Sequence, residues 1–122
     1  MNVNPLIMEL KTVTKLPVVP DIYDGAEDKY ITFTYQDERP AFFGDNDVLN
    51  DVAYISVSLF TPKSYNYMSL KEDIKEYLES IGILTNCESY CYTENQIPIR
   101  QTIFEVQITK EREENESWHI SG

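Results

Sequence analysis

The chain has 122 residues, 42% of them hydrophobic and 12% aromatic, which suits one globular domain with a single modest core. Its ten Lys and Arg stand against 21 Asp and Glu, and the net charge of −11 disfavours binding to nucleic acid or to an anionic membrane. No apolar run approaches the roughly 20 residues of a membrane-spanning helix, and the first residues lack the basic and apolar segments of a signal peptide.

A short amphipathic helix is predicted near the N-terminus, over residues 4–13, where apolar residues recur at helical spacing. Asn4 is the expected N-cap and Pro5 the first helical residue. Residues 16–20 are then predicted to be extended, because the two prolines of this segment cannot both serve a central strand. A polar turn follows over residues 21–28.

Two strands are predicted in the middle of the chain. In the first, over residues 30–35, Ile31, Phe33 and Tyr35 fall on one face. The second covers residues 52–60 and alternates apolar residues with Ser56 and Ser58.

A second helix is predicted over residues 70–81. Ser69 and Glu72 form a capping box at its start, and Gly82 follows where a left-handed C-terminal residue belongs. Two more strands are expected over residues 87–92 and 102–109, after which the apolar pattern ends. The predicted core combines the apolar faces of strands and helix: Ile31, Phe33, Ile55, Val57, Leu59, Phe104, Val106 and Ile108, covered by Leu70, Ile74, Leu78 and Ile81.

These elements predict one α+β domain over residues 1–109 and a polar C-terminal tail over residues 110–122. The element order is α-β-β-β-α-β-β. We expect a mostly antiparallel sheet of four to five strands, with two helices packed on one face.

The segment over residues 36–50 has no periodicity and is predicted to be a long loop. Phe42 and Phe43 stand side by side there, close to Asp45 and Asp47. If the backbone is extended, both rings cannot point inward, so the loop is a candidate assembly contact with an exposed aromatic anchor. The alternative is that both rings fold back over the end of the sheet as a lid.

No residue pattern supports catalysis or metal binding. The single His, His119, lies in the polar tail, where no neighbours would hold its imidazole for acid–base work. Cys87 and Cys91 on one strand would lie about 13 Å apart, too far for a disulfide, and lack the further ligands of a zinc site. The segment Gly44-Asp45-Asn46-Asp47 lacks the central Gly and terminal Glu of a calcium loop.

One acidic pattern is similar to a nuclease signature. Asp21 is followed by Glu27, Asp28 and Lys29, the residue types that metal-dependent phosphodiester cleavage uses. Those groups normally sit on adjoining strands, whereas here they flank a short turn around Gly25. We therefore predict no catalytic, metal-binding or cofactor-binding residue, no cofactor and no enzymatic activity.

The order of these segments resembles the small tail-completion proteins of long-tailed bacteriophages of Gram-positive hosts, which include tail-terminator and tail-to-head joining proteins. The resemblance extends to about Thr109. The segments that carry it are Leu16-Pro17-Val18, Tyr30-Ile31-Thr32-Phe33, Phe43-Gly44-Asp45-Asn46, residues 54–61, the helix 70–81 with Gly82-Ile83, and the strand 101–108.

The resemblance implies a structural subunit that forms a ring of about six copies. Such a ring completes the tail tube and joins it to the head connector in the virion, so its partners are further copies, the tail-tube protein and the head-connector protein. DNA passes through the ring without specific binding, which an acidic surface favours. The alternative class is a small acidic inhibitor or immunity protein, a DNA mimic that binds a nucleic-acid enzyme.

Overall fold

In a computed structural model of the chain, the backbone is described for residues 2–43 and 48–111, and the side chains for residues 2–38 and 51–109. The described residues form three helices and five strands. They are α1 (Asn4–Met8), α2 (Leu10–Thr14), β1 (Val18–Pro20), β2 (Tyr30–Phe43), β3 (Val48–Pro62), α3 (Met68–Ile81), β4 (Ile83–Glu94) and β5 (Ile97–Glu111).

The strands form one mixed sheet in the order β1-β2-β3-β5-β4. The short strand β1 runs parallel to β2, and the other three pairs are antiparallel. All three helices contribute buried residues to a single core on one side of the sheet. The predicted α+β class, with a mostly antiparallel sheet and helices on one face, is therefore confirmed.

The core lies between the helices and every second residue of the strands. Each of the eight strand residues predicted for the core is at most 2% exposed. Ile74 and Leu78 of α3 are fully buried, while Leu70 and Ile81 pack at its margin. The N-terminal region adds residues that the predicted core lacked: Val3, Ile7, Leu10 and Val18.

The predicted N-terminal helix is divided into α1 and α2, which meet at Glu9. Asn4 is not the N-cap as predicted, since Val3 holds that position and Asn4 lies inside the helix. Tyr35 fastens this end to the sheet, because its hydroxyl accepts a hydrogen bond from the Val3 amide and donates one to Asn4 Oδ1, both at 2.8 Å. Tyr77 of α3 adds a 2.6 Å hydrogen bond to the Leu6 carbonyl.

Both predicted ends of α3 are wrong in detail. The N-cap is Tyr67, whose side chain makes no capping hydrogen bond, and Ser69 lies inside the first turn. The Met68 amide instead donates a 3.3 Å hydrogen bond to Asn66 Oδ1. Gly82 is extended, with φ −171°, and not left-handed. A Cβ at Gly82 would lie 2.5 Å from the Gln107 carbonyl oxygen, so close approach of the helix end to β5 explains the glycine.

The predicted loop over residues 36–50 is wrong. β2 continues to Phe43 and β3 begins at Val48, so most of this segment is a paired β-hairpin, with a register shift between Tyr35 and Asp37. β4 and β5 form a second long hairpin. Asn95 and Gln96 turn it with φ values of 51° and 67°, the positive φ values that favour tight two-residue turns.

Candidate assembly surfaces

The side of the sheet opposite the helices is uncovered by any described helix or strand. We call it the open face and define it by the residues that alternate with the core positions. Among the described side chains these are Tyr30, Thr32, Thr34 and Asp37 from β2, Val52, Tyr54, Ser56, Ser58 and Phe60 from β3, Ile97, Ile99, Gln101, Ile103, Glu105, Gln107 and Thr109 from β5, and Asn86, Glu88, Tyr90, Tyr92 and Glu94 from β4.

The middle of the open face is polar and acidic. Ser and Thr side chains occupy its centre on β2 and β3, and Gln101 Nε2 donates a 3.1 Å hydrogen bond to Ser58 Oγ. The charged residues of the open face whose side chains the structure describes are Asp37, Glu88, Glu94 and Glu105, and all four are acidic. The described part of this surface therefore repels a phosphate backbone.

Aromatic rings occupy one end of the open face. The rings of Tyr23 and Tyr30 stack at 4.4 Å, and those of Tyr30 and Phe60 at 4.8 Å. Burial, together with the nearby Glu94 carboxylate, raises the pKa of both Tyr30 and Tyr92. The two hydroxyls thus stay neutral at ordinary pH, and the rings form an uncharged border to the polar centre.

The sheet ends in two different edges. β4 is a long edge of 12 residues with no Lys, Arg or Pro, and its Ile83 and Tyr90 side chains are 62% and 47% exposed. β1 is an edge of three residues flanked by proline. Natural sheets commonly protect their edges with Lys, Pro or short strands, so β1 is protected and β4 is not.

A cavity of about 520 Å³ runs beside β1. Lys11 and Lys15 from the end of α2 line one side, residues 16–19 the floor, and Glu27 the other side. Lys15 adopts the left-handed conformation, φ 63°, which ends α2 and turns the chain into the edge strand. The edge at β1 is thus a recess with more cationic than acidic groups, in a chain of net charge −11.

Two of the predicted assembly residues, Phe42 and Phe43, lie at the end of β2. The backbones of Phe42 and Phe43 pair with Leu49 and Val48. Asp45 and Asp47 lie outside the described residues. The aromatic pair therefore belongs to a paired strand and not to a loop, and its role as a contact stays a prediction.

The nuclease-like residues have local roles. Asp21 Oδ1 accepts a 3.1 Å hydrogen bond from Thr34 Oγ1, and Lys29 pairs with Asp28 at 3.3 Å. Lys29 Nζ also lies 4.8 Å from the centre of the Tyr65 ring. Asp21 and Lys29 therefore contact different parts of the structure and do not form a shared metal site with each other.

Cys87 and Cys91 are free thiols on β4, the first half-buried and the second exposed. Among the described residues, no group of three or more His, Cys, Asp or Glu side chains is placed to bind a metal ion. None of the described helices has the length and apolar character needed to cross a membrane. His119 lies outside the described residues.

Sequence reasoning did not identify the open face or the edge β4 as surfaces. The polar residues that alternate with the core residues along each strand could have indicated the open face. The strand order that leaves β4 at an edge depends on long-range pairing, for which the sequence carries no local signal.

No protein-family model and no curated protein matches the chain. Solved structures nevertheless share its fold. A chain from the virion of a native gene transfer agent particle is 13% identical, with a TM-score of 0.50 and 84% of both chains covered. A second solved chain, whose name describes no function, is 13% identical with a TM-score of 0.51, covering 91% of this chain and 90% of that one. The fold therefore also occurs within a virion particle.

Proposed function

We propose that this chain is a structural subunit of a bacteriophage neck or tail and not an enzyme. About six copies form a ring that completes the tail tube and joins it to the head connector, and DNA passes through the ring. Its partners are further copies, the tail-tube protein and the head-connector protein, and its location is the virion.

The open face carries this proposal. A ring that transmits DNA needs an inner wall that the duplex can pass without adhering. A wall of Ser, Thr and Gln side chains whose described charged residues are Asp37, Glu88, Glu94 and Glu105 meets this need, because like charges repel. The helices on the opposite side of the sheet would then form the outside of the ring.

Two further observations support a structural role. The fold is shared with a chain of a gene transfer agent virion over 84% of both chains. Two adjacent aromatic residues, Phe42 and Phe43, stand at the end of strand β2, and aromatic residues are frequent anchors of protein interfaces.

The test measures assembly and DNA passage together. Mass photometry over a concentration series, with and without tails that lack this protein, should detect a species of about six subunits, and electron microscopy should show it at the tail end. A chain that stays monomeric in all conditions and does not complete tails contradicts the proposal. A tight 1:1 complex with a nucleic-acid enzyme would instead support the acidic-inhibitor alternative.

A matched pair of variants tests the inner wall. Glu105→Lys with Gln107→Lys places two cations on the open face, and Glu79→Lys with Ser80→Lys makes the same charge change on the exposed side of α3. The first variant should form rings that retain DNA in a salt-dependent way, and the second should behave as the unchanged chain. Equal DNA retention by both variants would show that the open face does not meet the DNA.

A further inference from the structure

The cavity beside β1 combines two cations with an apolar floor. Lys11 and Lys15 are exposed at its side, and neither forms an ion pair with a described residue. The floor is the segment Leu-Pro-Val-Val over residues 16–19, and Glu27 is the one acidic residue of the described lining. Its volume of about 520 Å³ lies within the roughly 300–1,000 Å³ of ligand pockets. The cavity therefore suits an occupant that carries both carboxylates and apolar side chains.

One segment of this chain has that chemistry. We call residues 113–120, Glu-Glu-Asn-Glu-Ser-Trp-His-Ile, the acidic segment; they lie outside the described residues. The acidic segment contains three Glu and no Lys or Arg, together with Trp118, the only Trp of the chain, and Ile120. Its carboxylates are complementary in charge to Lys11 and Lys15, and its two apolar side chains are complementary to the floor.

The described strands fix the distance between the end of β5 and the cavity. Val18 pairs with Ile31, which pairs with Leu59 of β3. Glu111, the last described residue, pairs with Asn50 of the same strand. Leu59 and Asn50 are nine positions apart, about 30 Å, and three strand spacings add about 14 Å across the sheet. Glu111 and Val18 are therefore about 33 Å apart.

The acidic segment falls short of the cavity of its own chain. Trp118 is seven residues beyond Glu111, and seven residues span at most about 25 Å when fully extended. Glu113, Glu114 and Glu116 are closer to Glu111 in sequence and reach less far. A neighbouring copy of the chain has no such limit, so the acidic segment can fill only the cavity of a neighbour.

We propose that the acidic segment of one copy occupies the β1 cavity of the next copy. This inference rests on the ring proposed above and names one contact between its subunits. The two surfaces in contact differ, so the contact is head-to-tail, the kind that closes into a ring. It does not require main-chain pairing with β1, which the prolines at positions 17 and 20 limit.

A charge exchange tests the contact. One variant carries Lys11→Glu and Lys15→Glu, and a second carries Glu113→Lys and Glu116→Lys. Each variant alone places like charges at every contact, so its ring fraction, measured by mass photometry, should fall by about tenfold or more. A 1:1 mixture should restore rings, because alternating copies bring opposite charges together at both kinds of contact.

Matched controls make the same charge changes away from the cavity. Lys63→Glu with Lys75→Glu matches the first variant, because both lysines lie nearer to β4 and β5 than to β1. Glu76→Lys with Glu79→Lys matches the second variant on exposed side chains of α3. Both controls should form rings as the unchanged chain does, and circular dichroism melting verifies that every variant folds.

Trp118 reports the contact directly, because the chain contains no other Trp. As the concentration is raised and rings form, its emission should shift to shorter wavelength and its quenching by acrylamide should fall, since the indole leaves water. The variant with Lys11→Glu and Lys15→Glu should show neither change. Rings in which Trp118 stays as accessible to acrylamide as in the monomer would overturn the contact.

Cross-linking shows which chain supplies the segment. Cys87→Ser with Cys91→Ser removes the two free thiols, and Lys15→Cys is then introduced in one chain and Glu116→Cys in another. A short bis-maleimide should join the two kinds of chain in a mixture. A chain that carries both changes should give a ladder of covalent oligomers, and a cross-link within one chain would overturn the assignment to a neighbour.

The outcomes separate this inference from the proposed function. Rings without the cross-link, or no rescue in the charge-exchange mixture, would overturn the contact and leave the ring intact. The cross-link without any ring, even with tails present, would overturn the ring and leave the contact. Loss of tail joining with normal rings, in the variant with Lys11→Glu and Lys15→Glu, would show that another virion protein occupies the cavity and that the proposal is wrong.

Discussion

The two faces of the sheet are built from the same strands and have opposite characters. On the helix-covered face, residues such as Val57 and Phe104 are fully buried. On the open face, their neighbours Ser58 and Ile103 lie side by side with no helix above them. A single strand therefore carries the stability of the domain on one side and its candidate contact surface on the other, and substitutions should separate the two.

The largest difference in stability is expected between two variants that place the same negative charge on opposite faces of the sheet. Val57→Asp puts an uncompensated carboxylate in the core and should reduce the free energy of unfolding by more than about 4 kcal/mol, enough to unfold a marginal domain. Ser56→Asp, one residue earlier on the open face, should remain folded. Urea denaturation measures both. Ile74→Asp should match Val57→Asp, and a soluble, cooperatively melting Val57→Asp protein would show the core assignment to be wrong.

Removal of a single hydroxyl from the helix-covered face should lower the stability by a smaller amount. Tyr35→Phe leaves the Val3 amide and Asn4 Oδ1 without their shared partner, which should cost about 1–2 kcal/mol of stability. Tyr90→Phe removes an exposed hydroxyl from the open face and should cost less than about 0.5 kcal/mol. Thermal melting of the two variants under identical conditions compares them, and equal losses would contradict the role given to Tyr35.

Substitutions at the aromatic end of β2 should affect assembly and not stability. Phe42→Ser with Phe43→Ser should change the free energy of unfolding by less than about 0.5 kcal/mol and should prevent ring formation or tail joining. Melting temperature and tail-completion activity are measured on the same preparation. A variant that loses several degrees of stability and still completes tails would show that the two rings act as a lid.

The smallest expected signal concerns DNA. The unchanged chain should show no measurable binding to duplex or single-stranded DNA at physiological salt, and no cleavage with magnesium or manganese. Fluorescence anisotropy measures the DNA binding, and a plasmid-nicking assay measures the cleavage. Micromolar binding that weakens with salt would contradict the acidic inner wall, and cleavage lost in Asp21→Ala would support a nuclease.

The core was predictable because burial imposes a regular period on the sequence. Ile55, Val57 and Leu59 alternate with polar residues because one side of β3 packs against the helices and the other side does not. Residues 36–50 carry no such alternation, and the register shift between Tyr35 and Asp37 interrupts the period of β2. Pro40 also suggested a loop, although it lies within β2.

The remaining errors arise from contacts between distant parts of the chain. Ser69 and Glu72 fit a capping box, yet the helix begins earlier, at Met68. Gly82 fits a left-handed cap, yet its small size is needed against the Gln107 carbonyl. The candidate site depends even more on tertiary structure, because neither the cavity at β1 nor the exposed edge at β4 exists until the strand order is set.

The central strand pair has a consequence for folding during synthesis. β2–β3 and β4–β5 are hairpins of neighbouring strands, whereas the β3–β5 pair joins segments separated by α3 and β4. As the chain leaves the ribosome, we expect β3 to pair with β2 first, while its other edge stays unpaired until β5 emerges. We expect closure of that long loop to be the slow step of folding, because non-local pairing must overcome chain entropy before it gains contacts. Until then the nascent chain exposes Ile55, Val57 and Leu59 without the strand and helix that later cover them.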